Sequence, residues 1–577
     1  MRRLLKYLRG YGKETVLAPL FKMLEATFEL IVPLVVAGIV DVGIQNRDTR
    51  YIWRMCAVMI LLGVIGLVCS LTAQYFSAKA AMGFSTALRQ DMFDHISTLS
   101  YRELDKLGTP TLVTRITSDI NQAQTGVNLV LRLFLRSPFI VVGAVFMAFT
   151  INVRVAVIFL IAVPLISFVI YLIMRLTVPI YRRVQTSLDR ISLITRENHV
   201  GARVVRAFGR QGEENQEFSQ TNDQYTVIQI AAGKISALLN PATYVIMNLA
   251  IVAILWYGGR EVYNGVITQG EVVALVNYMS QILLALLALA NLIVAVTKAA
   301  ASAIRLNEVF DTRPTLTDEG AEVQQEKDNG PRVEFKDVTF TYAGSQEPAL
   351  SHISFTAMPG ETVGIIGGTG CGKSTLVNLI PRFYDVTEGQ VAIDGNPVQA
   401  YPFTQLRTKV GMVPQHAVLF KGTIRENMKW GKKDATDEEI YRALTIAQAK
   451  EFVEDKQEKL DTMVSQGGSN LSGGQRQRLT IARAIVGMPD ILILDDSASA
   501  LDFATDAALR HEIKAQTDGM TVFIVSQRAT SIKQADKILV LDDGELKGMG
   551  THKELLETCE VYREICLSQL SEQEVNR

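Results

Sequence analysis

Histidine and cysteine are scarce, six and five in 577 residues, which leaves little for transition-metal ligation. Cys56, Cys69, Cys371, Cys559 and Cys566 fit no zinc spacing, and they predict free thiols rather than a disulfide framework. Net charge is also missing. The 58 basic and 59 acidic residues leave −1, which argues against nucleic acid as a main partner. No cleavable leader is expected. The N-terminus is basic at Arg2, Arg3, Lys6 and Arg9, but the apolar stretch behind it is too long for a signal core.

Apolar sequence is what the chain has in quantity, and it is unevenly spread. Up to roughly residue 300, several runs reach the ~20 residues that a helix needs to cross a bilayer. Beyond that point short apolar runs alternate with charged stretches, as in soluble α/β domains. Candidate spans fall near residues 15–40, 55–78, 127–151, 155–178, 239–258 and 271–298. The second and third, and the fourth and fifth, are separated by charged, helix-favouring segments. Arg89, Arg102, Arg115, Arg182, Arg183, Arg190, Arg196, Arg203, Arg206 and Arg210 give these segments a basic bias. That bias places them and both termini in the cytosol. As helical hairpins, with arms of about 25–30 residues, they would reach ~40 Å from the membrane.

Lys22, Glu25 and Glu29 share one face of the first span. Charge at such depth faces a cavity or a partner. One reading makes Glu25 and Glu29 an acidic wall of a substrate pathway suited to cations. The other is a structural Lys22–Glu25 pair near the interface. Pro33, Pro138, Pro164, Pro179 and Pro241 predict kinks or helix ends. Residues 311–331 are polar and proline-interrupted, a linker between a membrane domain (1–310) and a soluble domain (332–577).

The soluble half is organised around Gly367-Gly368-Thr369-Gly370-Cys371-Gly372-Lys373-Ser374-Thr375, a G-x-x-x-x-G-K-S-T phosphate loop. An apolar run that reads as a buried strand precedes it, and a helix start follows. The glycines let backbone N–H groups wrap a polyphosphate. Lys373 is expected on the β- and γ-phosphates and the Ser374 hydroxyl on Mg²⁺. The stretch 333–342 alternates as an antiparallel strand, and Tyr342 at its end could stack on a nucleobase. A second apolar run, Ile491-Leu-Ile-Leu-Asp495-Asp496, ends in two acids. The first suits Mg²⁺, and the second lies where a hydrolytic water would be polarised.

Leu471-Ser472-Gly473-Gly474-Gln475 is the most diagnostic string. With it the chain closely resembles ATP-binding-cassette transporters of the exporter type. The resemblance covers nearly the whole chain and is to a half-transporter with six membrane helices and long cytosolic hairpins, followed by an α/β P-loop nucleotide-binding domain. It implies ATP and Mg²⁺ as cofactors and a Q-loop at Gln415 that touches the metal. It also implies a D-loop ending at Asp502, base stacking on Tyr342, and a signature, Ser472–Gln475, offered to nucleotide on the opposite domain of a head-to-tail dimer. Residues 197–208 resemble the second cytosolic loop of such exporters, and 109–115 the coupling region of the first.

Two positions depart from the family pattern. Asp496 stands where the general-base glutamate is usual, one methylene shorter. Gln527 stands where a switch histidine is usual. Glutamine can hydrogen-bond a phosphate but carries neither proton nor positive charge. Together they predict a hydrolysis-impaired site beside an intact signature, as in the degenerate-site subunit of heterodimeric bacterial multidrug exporters. The expected setting is a bacterial plasma membrane, with a second half-transporter, the lipid bilayer and a small amphipathic substrate as partners. Gln466, where exporters usually carry glutamate, is a further departure. The alternatives are a homodimeric exporter or lipid or peptide transporter, an ATP-gated channel or regulator, and a siderophore importer. No long regulatory insertion separates the halves, which counts against a channel.

Overall fold

A computed structural model describes residues 2–317, 323, 330–497, 500–517 and 519–569. Most of the expected linker, 318–322 and 324–329, lies outside the described residues. The chain forms two bodies: Met1–Ser97 with Pro110–Thr312, and Thr98–Thr109 with Arg313–Arg577.

The first body is helical. Its long segments are α1 (Arg3–Ile44), α2 (Thr49–Thr98), α3 (Thr109–Ile151), α4 (Val153–Val200), α5 (Gln211–Tyr263) and α6 (Gln269–Asp311). Each contains one of the six expected spans. At ~1.5 Å per residue they run ~60–80 Å, about twice the ~30 Å of hydrocarbon they would cross. Many large apolar side chains face outward, among them Val142, Phe146, Leu160 and Val252, as lipid-facing surfaces require. Inward faces are built from small residues. Ala18, Ala26 and Ala37 of α1 are buried, and a methyl on Gly126 of α3 would meet the Ala299 Cβ of α6 at 2.2 Å. The Asn152 side chain caps α4 by accepting from the Arg154 and Val155 N–H groups, at 2.9 and 3.1 Å. A Thr268–Glu271 capping box starts α6. Pro33, Pro164 and Pro179 sit inside continuous helix, whereas Pro138 and Pro241 fall just after breaks within α3 and α5, in the first turns of the stretches Arg136–Ile151 and Leu239–Tyr263.

The second body has a six-stranded sheet in the order β12-β11-β3-β10-β9-β6. The strands are β3 (Thr362–Gly367), β6 (Val410–Val413), β9 (Ile491–Asp495), β10 (Thr521–Val525), β11 (Lys537–Asp542) and β12 (Glu545–Gly550). All are parallel except the edge strand β12. Alternation splits β9 between two cores. Leu492 and Leu494 join one apolar cluster, and Ile491 and Ile493 the other. A strand buried on both faces reads as a continuous apolar run, which is how it looked in sequence. A smaller antiparallel sheet orders β1 (Val333–Phe340), β2 (Leu350–Ala357), β4 (Glu388–Ile393) and β5 (Asn396–Pro397) as β2-β1-β4-β5. The short β7 (Gly422–Thr423) and β8 (Met463–Val464) pair with each other. The helices used below are α7 (Lys373–Leu379), α8 (Gly473–Ile485) and α9 (Phe503–Gln516).

Residues 98–109 belong to this second body, although the sequence placed them in the membrane domain. The short helix Tyr101–Leu107 starts on a Ser100–Glu103 capping box and stops at Gly108, φ 76°. The Tyr101 ring lies 4.6 Å from that of Phe383, the Tyr384 hydroxyl donates to Asp105 at 2.7 Å, and the Thr315 hydroxyl donates to Glu103 at 3.0 Å. Residues 98–109 thus pack against Phe383, Tyr384 and Thr315 of the second body. Contacts decide that placement, and no local pattern encodes them.

Candidate functional site

The site forms where the parallel strands end. β10 lies between β3 and β9, with Val525 opposite Ile365 on one side and Asp495 on the other. The phosphate loop after β3, the acids Asp495 and Asp496 after β9, and Gln527 two residues beyond β10 thus share one sheet edge. Gln415, two residues past β6, follows the strand on the far side of β9 and is exposed at the same edge.

The loop depends on glycine for shape. Gly370 and Gly372 have φ of 86° and 94°, and a methyl on Gly372 would come within 2.6 Å of the Ala349 carbonyl. Gly367 is closed to side chains as well, since a Cβ would meet the Leu541 carbonyl at 2.0 Å. Gly368 and Thr369 form the outer turn. The ammonium of Lys373, at the start of α7, donates to the carbonyls of Gly367 at 2.9 Å and Gly368 at 2.5 Å, beside the buried Cys371 thiol. The Ser374 hydroxyl donates to Asp495 Oδ1 at 3.0 Å. Burial pushes the Asp495 carboxyl above the usual aspartate range; the Ser374 hydrogen bond opposes this and the Asp496 charge adds to it. A hydroxyl and a buried carboxylate in contact form a hard oxygen set that fits Mg²⁺. Ser374 and Asp495 would hold the ion, with Gln415 available at the edge, and a bound Mg²⁺ would neutralise phosphate charge there.

Tyr342 follows β1. Its hydroxyl lies 3.0 Å from that of Thr375, so its ring is tied to the loop. It meets Phe340 and Tyr384 edge-on, with centroids 4.8 and 5.5 Å away. Through the Tyr384 hydroxyl this cluster reaches Asp105. Sequence reasoning missed Tyr101, Asp105 and Tyr384, because no single-residue pattern marks ring contacts between segments nearly three hundred positions apart.

Asp496 is held in an uncommon backbone conformation, φ 45°, with its N–H donating to the Val525 carbonyl at 3.0 Å. That bond fixes its Cα against β10, so the carboxylate has only its own short stem for reach. Gln527 is exposed, and its backbone carbonyl accepts from Gln569 at 2.7 Å.

Ser472 and Gln475 cap α8 reciprocally. The Ser472 hydroxyl accepts from the Gln475 N–H at 3.2 Å, and the Gln475 side chain accepts from the Ser472 N–H at 3.0 Å. With those groups engaged, the N–H groups of Gly473 and Gly474 remain at an exposed helix start that favours anions. Asp502 caps α9. The Thr505 N–H, 2.9 Å away, holds its carboxyl below the usual range. Of the segment before it, Ala498 and Ser499 lie outside the described residues.

The pathway candidates sit in the first body, apart from this edge. Lys22, buried, donates to Glu25 at 2.5 Å and to Ser70 at 3.1 Å. Glu29 accepts from Arg136 at 2.8 Å. Each carboxylate thus has a basic partner.

Comparison with known proteins matches residues 15–286 to the ABC transporter transmembrane region and 350–499 to the ABC transporter family. An uncharacterized ABC transporter ATP-binding protein of Mycobacterium bovis is 38% identical, with 98% of this chain and 97% of that protein covered. A second uncharacterized ABC transporter ATP-binding protein, YfiB of Bacillus subtilis, is 36% identical over 99% and 98% of the two chains. An ATP-dependent lipid A-core flippase of Hahella chejuensis is 30% identical over 99% and 97%. A solved bacterial Atm1-family ABC exporter with ATP bound superposes with a TM-score of 0.80 at 24% identity, covering 97% of this chain and 98% of that one.

Proposed function

The chain belongs to the ABC transporters, and from that premise we propose that it is one subunit of a heterodimeric ATP-driven exporter of amphiphiles. Its own nucleotide site binds ATP but hydrolyses it slowly, and its signature completes a competent site on a different half-transporter. The observation that carries this reading is Asp496, a carboxylate one methylene short on a backbone anchored to Val525, with Gln527 two residues beyond the end of the neighbouring strand β10. A general base must lie within hydrogen-bond reach of its water, and a displacement of ~1 Å costs ~100-fold. The phosphate loop, Asp495 and the signature are all intact, so binding groups remain where hydrolytic groups are altered.

In this reading, ATP draws two nucleotide-binding domains together and the long cytosolic helices carry the closure to the membrane domain. Hydrolysis at the partner's loop, completed by Ser472–Gln475 of this chain, resets it. The lipid A-core flippases among the relatives favour a lipid-like cargo. The test is ATPase activity of the purified full-length chain in lipid, alone and with a half-transporter bearing Glu and His at the matching positions. Little turnover alone and robust turnover for the pair is expected. Brisk turnover by the chain alone would end the heterodimer reading and leave a homodimeric exporter.

A further inference from the structure

The C-terminal helix α10 (Glu560–Gln569) ends against the loop that carries Gln527. One face of it is packed. Tyr562 and Cys566 are fully buried in the apolar cluster that also takes Ala529 and Ile532, and the Tyr562 hydroxyl lies 2.7 Å from the His552 ring. Gln569 follows Tyr562 by two turns, so it falls on that same side of the helix. Its amide is bonded to backbone at both ends. Nε2 donates to the Gln527 carbonyl at 2.7 Å, and Oε1 accepts from the Ala529 N–H at 2.8 Å. The Ala529 N–H opens the short helical turn Ala529–Ile532, so no carbonyl of that turn can accept from it.

Upstream, the loop is fixed to the sheet. The Ser526 N–H donates to the Ile365 carbonyl of β3 at 3.0 Å, and the Ser526 hydroxyl accepts from the Arg528 N–H at 2.9 Å. The Arg528 guanidinium lies over the Phe503 ring at the start of α9, 5.2 Å from its centroid. Gln527 is therefore held between an anchor on β3 and an anchor on α10, with its side chain exposed at the edge that carries the phosphate loop. A single exposed hydrogen bond adds little, because water competes for both partners. Here one side chain is ordered once while two bonds form, on a helix already fixed by buried residues.

We propose that Gln569 is a positioning residue for the nucleotide site. It holds the peptide groups on both sides of Arg528, and so sets the Gln527 amide where it can donate to the γ-phosphate of bound ATP. A glutamine has no charge to draw it toward phosphate, so its contribution depends on being placed beforehand. The C-terminal helix is then part of what tells ATP from ADP at this site. The proposal deepens the reading above and rests on it for the place of Gln527 at the γ-phosphate, but it requires no partner subunit.

The experiment uses the full-length chain in phosphatidylcholine nanodiscs with Mg²⁺. Displacement of a fluorescent nucleotide gives the affinities for ADP and for the imido analogue of ATP, which keeps a γ-phosphate and resists hydrolysis. Gln569→Met keeps the length of the side chain and removes both bonds. It should weaken the analogue by about five- to tenfold. Its affinity for ADP should be unchanged, which also reports that the variant is folded. Gln569→Glu keeps the acceptor for the Ala529 N–H but sets a carboxylate against the Gln527 carbonyl, and should lose about as much. Gln527→Ala should weaken the analogue to a similar degree. Adding Gln569→Met to it should weaken binding no further, because the group being positioned is already gone. Unchanged analogue affinity in Gln569→Met, with Gln527→Ala weakened, would overturn the proposal and leave Gln527 at the phosphate. An equal loss for ADP, or a full further loss in the double variant, would also overturn it, since either marks a helix contact that only supports the fold. Unchanged affinity in Gln527→Ala would remove the proposal together with the phosphate role of Gln527. Turnover by the lone chain, which decides the heterodimer reading, is independent of all these outcomes.

Discussion

Restoring the two altered groups should restore hydrolysis, and the expected gain follows from the geometry. The Asp496 backbone is pinned by the N–H bond to Val525 at 3.0 Å and sits at φ 45°. It cannot slide forward to make up for a short side chain, so Asp496→Glu adds its methylene, about 1.5 Å of bond length, as reach. A ~1 Å correction near a reacting water is worth up to ~100-fold, or about 2.7 kcal/mol of barrier. Gln527→His adds a group that carries charge near neutral pH, which an amide cannot. The assay is single-turnover phosphate release by the full-length chain alone, with saturating Mg-ATP. The double variant should exceed the native chain by about 100-fold or more. Asp496→Asn should barely alter the native rate, because a carboxylate out of reach has little to lose. A large loss in Asp496→Asn, or no gain in Asp496→Glu while ATP still binds, would refute the argument that stem length sets the rate.

Other perturbations separate the roles assigned here. Ser472→Ala removes half of a reciprocal cap, costing about 1 kcal/mol and a few degrees of Tm by scanning calorimetry. It should depress ATPase in the assembled pair while leaving ATP binding to this chain unchanged. Tyr384→Phe deletes the 2.7 Å bond to Asp105 but keeps the edge-on and tilted ring contacts. Basal ATPase should survive, with transport per ATP reduced in vesicle uptake, at a stability cost of about 1 kcal/mol. Because burial raises the Asp495 carboxyl, protons compete with Mg²⁺ from a higher pH than an ordinary aspartate allows. The Mg²⁺-dependent part of ATP affinity should therefore weaken as pH falls, read by titration of a fluorescent nucleotide, and Asp495→Asn should abolish that pH dependence.

What the sequence disclosed was local. The phosphate loop is a run of nine residues whose chemistry is its order, and β9 announced itself by four apolar positions ending in an acid. The spans were visible only in their apolar middles. The helix Thr49–Thr98 was marked at 55–78 because beyond that the continuous apolar run thins to a one-sided stripe, Ala80, Phe84, Leu88 and Met92, too sparse to read as a span. Pairings across the chain stayed hidden. Lys22 could be matched with Glu25 at three residues' distance, but Arg136 stands 107 residues from Glu29. The departure at Asp496 was plain from identity alone; its left-handed backbone was not, since aspartate adopts that region at only a minority of its positions and nothing in the local sequence marks this one.

The rings of Tyr342, Tyr384 and Tyr101 form one continuous pile with Asp105 hung on its far end. On the proposed reading, the ring offered to the nucleobase and the hold on residues 98–109 are built from shared material. A lineage drifting toward a different nucleobase by reshaping Tyr342 would also slacken the grip on the 98–109 segment. On that reading the two traits are tethered, and a change at Tyr342 is felt at Asp105 as well as in the nucleotide pocket.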